Sequence, residues 1–407
     1  MEPWSIDAQE SIQDLDALSE ESVQKTVEIR RFLENDKRHF VVATKGFGKS
    51  LVLLTKRKEV TQRGFRLVPH DLLLDTPRVD VGVLPHDAKD LLYDEASFVV
   101  LWSVALVVAA VRASYRGETQ NPLSIGDIQE PLSRLLTADS CRTVTGALNA
   151  TLYLPRKDFV RLRQQYGTVL TPLAQAMPRE VAIFIDNVDE CFDKTPFWYA
   201  AQAALIEASY TLVRLNPKIR VFASVRREAW RKYLPQTLMS QQYEGSSVQL
   251  EYDKSEMRDI FERNIRADHD WVLAEPTALR SDAIQALVGS KTIQHAFTDE
   301  TEDVFDYIYR HTLRRPRDLM QIGRAISSVP VPDRQLDQPD GVKRFRDAVN
   351  DAGTRICESY LREVEPHLDI SQADFDRLCS MIPANVLTAQ DVKSVCMSFN
   401  GGKTTCN

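Results

Sequence analysis

Over residues 40–54 the chain reads FVVATKGFGKSLVLL: an apolar run stops at Ala43, turns through two closely spaced glycines and restarts as an apolar helix behind Lys49. A strand that ends in so tight a turn and feeds a helix at once belongs in a sheet covered by helices. In such a turn the backbone N–H groups converge on one point, backed by the positive end of the helix, and glycine is needed where the backbone comes closest. The pattern marks a phosphate-binding loop. Gly46 and Gly48 shape it, Thr44, Lys45, Phe47 and Leu51 line it, Lys49 is placed to reach β- and γ-phosphates, and Ser50 can hold Mg²⁺. Ala43 stands where the pattern usually has its first glycine. Alanine adopts the extended conformation of a strand end, so it need not block phosphate. The rival reading is a chance Gly-Lys-Ser at a helix start.

A second stretch favours phosphate. VAIFIDNVDE, residues 181–190, is the strongest strand in the sequence and carries Asp186 behind an apolar run. A carboxylate there is costly without a partner such as Mg²⁺ or a set of donors. Asp189 and Glu190 follow within a turn, and one of them could orient or deprotonate an attacking water. The rival reading makes Asp186 a helix cap and leaves the two later acids solvated. A third strand, IRVFASVRRE, contains Ser224 and ends near Arg226 and Arg227. Helical stretches such as FWYAAQAALIEASYTLVRL separate the strands, so the expected fold is α/β with a mostly parallel sheet and an added strand between the loop strand and the acid strand.

The organisation expected is a helical extension over residues 1–38, a core over 39–255, a helical lid over 256–328 and a linker with a last helical segment over 329–407. Beyond Tyr252 strands are expected to stop, with amphipathic helices in SEMRDIFERNI, TEDVFDYIYRHT and RPRDLMQIGRAI. SSVPVPDRQLDQPDG has the composition of a linker. SQADFDRLCSMI and TAQDVKSVCMSF read as a helix-turn-helix pair, each opened by a capping pair, Ser371 with Asp374 and Thr388 with Asp391.

Composition narrows the function classes. A formal net charge of -7 and a pI near 5.6 argue against a whole-surface grip on nucleic acid, and the last helix carries only Lys393 against Asp391. The acidic opening segment lacks the pattern of a secretory signal, and FVVLWSVALVVAAV is too short to span a membrane comfortably, so it reads as a buried helix in a cytoplasmic protein. Six cysteines show no CxxC pairing, and the histidines form no metal or triad arrangement.

ATKGFGKS, IFIDNVDE, VFASVRRE and RRPRD together resemble the loop, acid strand, sensor strand and lid motif of P-loop ATPases of the AAA+ and STAND type, and more narrowly those of bacterial antiphage-defence systems. The resemblance spans residues 40–326. It implies an ASCE-type P-loop NTPase core, a helical lid and a partial winged-helix-like segment. Residues 44–51 would bind ATP, Ser50 and Asp186 would hold Mg²⁺, and Ser224 would sense the γ-phosphate. The acid that follows the metal acid directly in AAA+ proteins is Asn187 here; STAND-like spacing selects Asp189, with Glu190 the alternative. Arg226, Arg227 and the lid arginine Arg317 are the phosphate-reaching candidates. Solvated surface positions are the rival reading for Arg226 and Arg227, and a surface cluster at Arg314 or Arg315 is the rival to Arg317. The family implies a homo-oligomer, ring or cluster, acting on a separate effector protein; a nucleotide-bound scaffold or a DNA-remodelling ATPase are the alternatives.

Overall fold

The computed structural model describes residues 4, 23–24, 26–69, 84, 86–116, 128–186, 188, 192, 197–268, 282–294, 300–364, 371–381 and 389–399. After helix α1 (Val27–Glu34), strand β1 (Phe40–Ala43) runs through the loop into α2 (Lys49–Gln62), and β2 (Arg66–Leu67) follows. Helices α3 (His86–Tyr93), α4 (Glu95–Tyr115), α5 (Leu132–Thr137), α6 (Val144–Leu152), α7 (Arg156–Gln165) and α8 (Thr171–Gln175) separate β2 from β3 (Val181–Ile185). The chain continues through α9 (Trp198–Leu215), β4 (Ile219–Arg226), α10 (Arg227–Tyr233), α11 (Ser240–Gly245) and β5 (Ser247–Gln249).

The five strands form one sheet in the order β2-β3-β4-β1-β5, every neighbour parallel. β4 lies between the loop strand and the acid strand. The continuous apolar runs of β1 and β3 follow from burial on both faces. Successive side chains alternate between two cores: Ile183 and Val221 face the layer of α4, α6 and α9, while Ala182 and Phe222 face α1 and α2. Residues 101–111 of α4 are all buried. α4 is the described helix long and apolar enough to cross a membrane, yet 78% of its qualifying window is buried inside the protein. As the sequence suggested, it is a core helix.

Charge is buried where α2 meets the turn before β1. The Lys56 ammonium, fully buried, lies 2.9 Å from Asp36 and donates to Leu33 O, while Arg63 also donates to Asp36. Burial raises the Asp36 pKa, but hydrogen bonds from Arg63 and Lys56 outweigh it and bring it to about 2, against an ordinary 3.8. Burial lowers His39 from 6.5 to about 4, although its Nδ1–H donates to Val221 O at 3.2 Å. In both cases the unfolded chain takes up the proton more readily, so stability falls with pH from 6.5 toward 4 through His39 and from 3.8 toward 2 through Asp36. The urea midpoint is expected to drop between about pH 7 and about pH 4. His39→Asn should flatten that slope while keeping the loss at lower pH.

Strands do not stop at Tyr252. After α12 (Lys254–Ala267) and α13 (Ala283–Val288), an antiparallel pair forms from β6 (Thr292–Gln294) and β7 (Thr301–Asp303). The expected helix over residues 301–312 is therefore shorter, α14 (Val304–Arg310), because Asp303 caps it by accepting from the N–H groups of Phe305 and Asp306. α15 (Pro316–Ser327) follows as expected, with proline in its first turn. The stretch expected to be a linker is packed. Arg334 is 2% exposed and donates to Ile326 O and Val329 O, and Leu336 N–H donates to Val288 O. A long helix that the sequence analysis did not anticipate, α16 (Pro339–Val364), comes next.

The chain divides into two compact units, Met1–Asn350 and Asp351–Asn407. In the second, α17 (Gln372–Ser380) is capped by Ser371 as expected, and Arg377 ties it to α18 (Ala389–Phe399) by donating to Phe399 O at 2.9 Å. Thr388 lies outside the described residues.

Candidate functional site

Parallel strands deliver their carboxyl ends to one edge of the sheet, which is where open α/β sheets bind ligands. Ala43 pairs with Arg226, Val41 with Ser224 and Ile185 with Ala223, so the loop, Asp186 and Ser224 emerge at that edge. Gly46 and Gly48 take left-handed conformations, φ +87° and +82°, as the sequence pattern requires of glycine. Gly48 is the N-cap of α2, and no side chain caps that helix. Lys49 and Ser50 open it, and Leu51 packs on the α1–α2 core. Thr44, Lys45, Phe47 and Ser50 are all half-buried. The Lys49 ammonium reaches back over the turn, donating to Ala43 O and Thr44 O, each at 3.1 Å. These features suit an anion: first-turn amides and the helix dipole attract it, and the Lys49 ammonium lies beside it.

One strand away, Ser224 Oγ–H donates to Asp186 Oδ1 at 2.5 Å. Asp186 is half-buried at the end of a fully buried strand, so this donor meets part of the demand the sequence analysis raised. Among the described residues no group of three or more His, Cys, Asp or Glu could hold a metal ion by itself. A Mg²⁺ ion held by Ser50 and Asp186 would complete its oxygen shell with phosphate and water, its usual habit at such sites. Asn187, Asp189 and Glu190 lie outside the described residues.

The helical segment touches the loop directly. Arg317 N–H donates to Gly46 O at 3.2 Å, and a Cβ on Gly46 would stand 3.2 Å from Arg317 Cβ and 3.4 Å from Arg315 Cδ. Arg315 is not part of a surface cluster. It is 7% exposed, and its Nη2 lies 2.9 Å from Asp318, whose side chain is buried and also accepts from Leu313 N–H. Arg314, just before it, has φ +59°, so the chain turns sharply into α15. Asp318 was not among the expected site residues, although the RRPRD spacing puts it one turn after Arg315.

Tyr252 was likewise not expected. This residue joins β5 to α12, and its hydroxyl donates to Phe47 O at 3.3 Å while its ring stacks on Phe47 at 6.2 Å. Burial pushes the phenol pKa well up, so it remains a donor. Arg227 covers the Phe47 ring at 5.7 Å, donates to Leu250 O and pairs with Glu251 at 3.1 Å. Arg226 lies at the end of β4, its N–H bonded to the buried Gln202 side chain at 2.8 Å.

The chain matches no protein-family model and no curated protein. The functional reading therefore stands on this geometry and on the sequence resemblance.

Gly46→Ala separates two effects. The left-handed backbone should cost about 1–2 kcal/mol, and the added methyl should press on Arg317. Gly64, with φ +86° and nothing within 4 Å of an added Cβ, carries the backbone cost alone. Urea unfolding is expected to show a larger loss for Gly46→Ala than for Gly64→Ala, with faster amide exchange at Arg317 only in the former.

Proposed function

We propose that this chain is a P-loop ATPase of the ASCE type, a switch that takes Mg-ATP at residues 44–51 and couples its hydrolysis to movement of a helical lid, residues 256–328. The observation that supports this most is the sheet order. β4 separates the loop strand from the acid strand and presents Ser224 to Asp186, while the first turn of α15 rests on Gly46. Lys49 and the first-turn amides of α2 would hold the phosphates, and Ser50 and Asp186 would hold Mg²⁺. Bound Mg²⁺ would neutralise charge on the phosphate oxygens. Asp189 is the first choice to position water, with Glu190 second, and Arg317 would carry the nucleotide state to the lid.

The AAA+ and STAND resemblance alone adds the rest: assembly into a ring or cluster, recruitment of a separate effector protein and a role in antiviral defence. By the same resemblance the helix pair within residues 329–407 would be a partial winged-helix-like segment. The neutral charge of α18, Lys393 against Asp391, favours a protein over nucleic acid as its partner.

Phosphate release by the purified chain with Mg²⁺ tests the switch. Wild type should turn over, Lys49→Ala should bind far more weakly, and Asp189→Asn should bind and stall. Tight binding without release by wild type would instead make the protein a nucleotide-bound scaffold, the reading that Ala43 and Asn187 support.

A further inference from the structure

Trp4 is 6% exposed, seated between α12 and α15. Its indole Nε1–H donates to Asp268 Oδ2 at 2.8 Å, and its ring lies 5.5 Å from Phe261. Opposite is Gly323, in the middle of α15, where a Cβ would fall 2.0 Å from Cζ3 of the indole and 2.3 Å from Cε3. Glycine inside a helix is destabilising relative to alanine unless something needs the space. Here the indole fills it. A polar acceptor for the indole N–H, an aromatic wall and a missing side chain form a socket matched to tryptophan at both its polar and its apolar end. Farther along, Gln24 Oε1 accepts from Arg263 of α12, and Val23 is buried in the core that contains Ala43 and Val52. Trp4 and Gln24 thus each contact α12, and Val23 the sheet core.

We propose that the α12–α15 groove is an indole-binding site, occupied in cis by Trp4, and that the seated indole holds the first turn of α15 on the phosphate loop. Trp4 is a positioning residue: it touches Gly323 in the same helix whose Arg317 N–H donates to Gly46 O. Any consequence for ATP rests on the ATPase reading above. The socket itself does not, because it can be followed without nucleotide.

The test is amide hydrogen exchange at Arg317, with β3 and β4 amides as the reference, in wild type and Trp4→Ala and with free indole as the probe. Local opening is reported separately from global unfolding in such data. Trp4→Ala should speed exchange at Arg317 about tenfold or more, leave β3 and β4 unchanged, and return toward wild type with millimolar indole. Faster exchange that indole does not reverse, or that extends equally to β3 and β4, would overturn the proposal by making Trp4 an ordinary core residue. Wild-type exchange that depends on protein concentration would overturn the assignment in cis. A stability measurement guards against variants that fold poorly. Gly323→Ala should lower the unfolding midpoint when Trp4 is present and raise it in the Trp4→Ala background, a reversal of sign expected only if the indole needs the space. The same sign in both backgrounds would contradict the socket.

Discussion

Asp318→Ala is expected to destabilise the protein by about 3–5 kcal/mol, the usual cost of breaking a buried ion pair from one side. Asp318 is fully buried, accepts from Arg315 Nε at 3.1 Å through both oxygens, and accepts from Leu313 N–H at 2.9 Å. Alanine removes the carboxylate facing a 7% exposed guanidinium and strands a backbone donor at the turn that presents Arg317. Urea unfolding would show the lowered midpoint, and exchange at Arg317 should rise with it. Replacing Arg315 and Asp318 together by leucine and methionine should cost less than Asp318→Ala, because no charge then stays buried. If Asp318→Ala instead behaves like an exposed-surface change, the pair does not hold α15 on the loop.

Lys49→Ala should weaken ATP binding about 10–100-fold, as expected from losing charge-assisted hydrogen bonds of about 1.5–3 kcal/mol. The ammonium donates to Ala43 O and Thr44 O beside the left-handed glycines, and bound phosphate oxygens would take the place of those carbonyls. Lys49→Arg should not restore full binding, because a planar fork cannot substitute for a compact ammonium inside so tight a turn. A titration with fluorescent nucleotide reads both variants. Equal affinity in all three proteins would mean that any nucleotide binds elsewhere.

The parts of the fold that could be read from sequence are those whose burial leaves a signature along the chain. FVVA and VAIFI are buried on both faces, so they stand out as unbroken apolar runs. β2 and β5 are edge strands of two and three residues, too short to carry a pattern, and pairing with β3 and β1 makes them strands. TIQ and TED are legible only as each other's partners. At the candidate site, the glycines and Lys49 were visible because a turn with left-handed backbone restricts residue type. Arg315 was not, because a run of arginines looks the same whether it is solvated or folded over a buried aspartate. Tyr252 and Trp4 depend on contacts with Phe47 and Gly323, far away in sequence. No local pattern encodes them.

Whether the loop binds ATP with Mg²⁺ is read by calorimetric titration of the wild-type protein with ATP, with and without Mg²⁺ and beside Lys49→Ala. One saturable site per chain is expected, tightened by Mg²⁺ and much weakened in Lys49→Ala. Absence of saturable binding by a folded wild-type protein, or identical isotherms for wild type and Lys49→Ala, would contradict it.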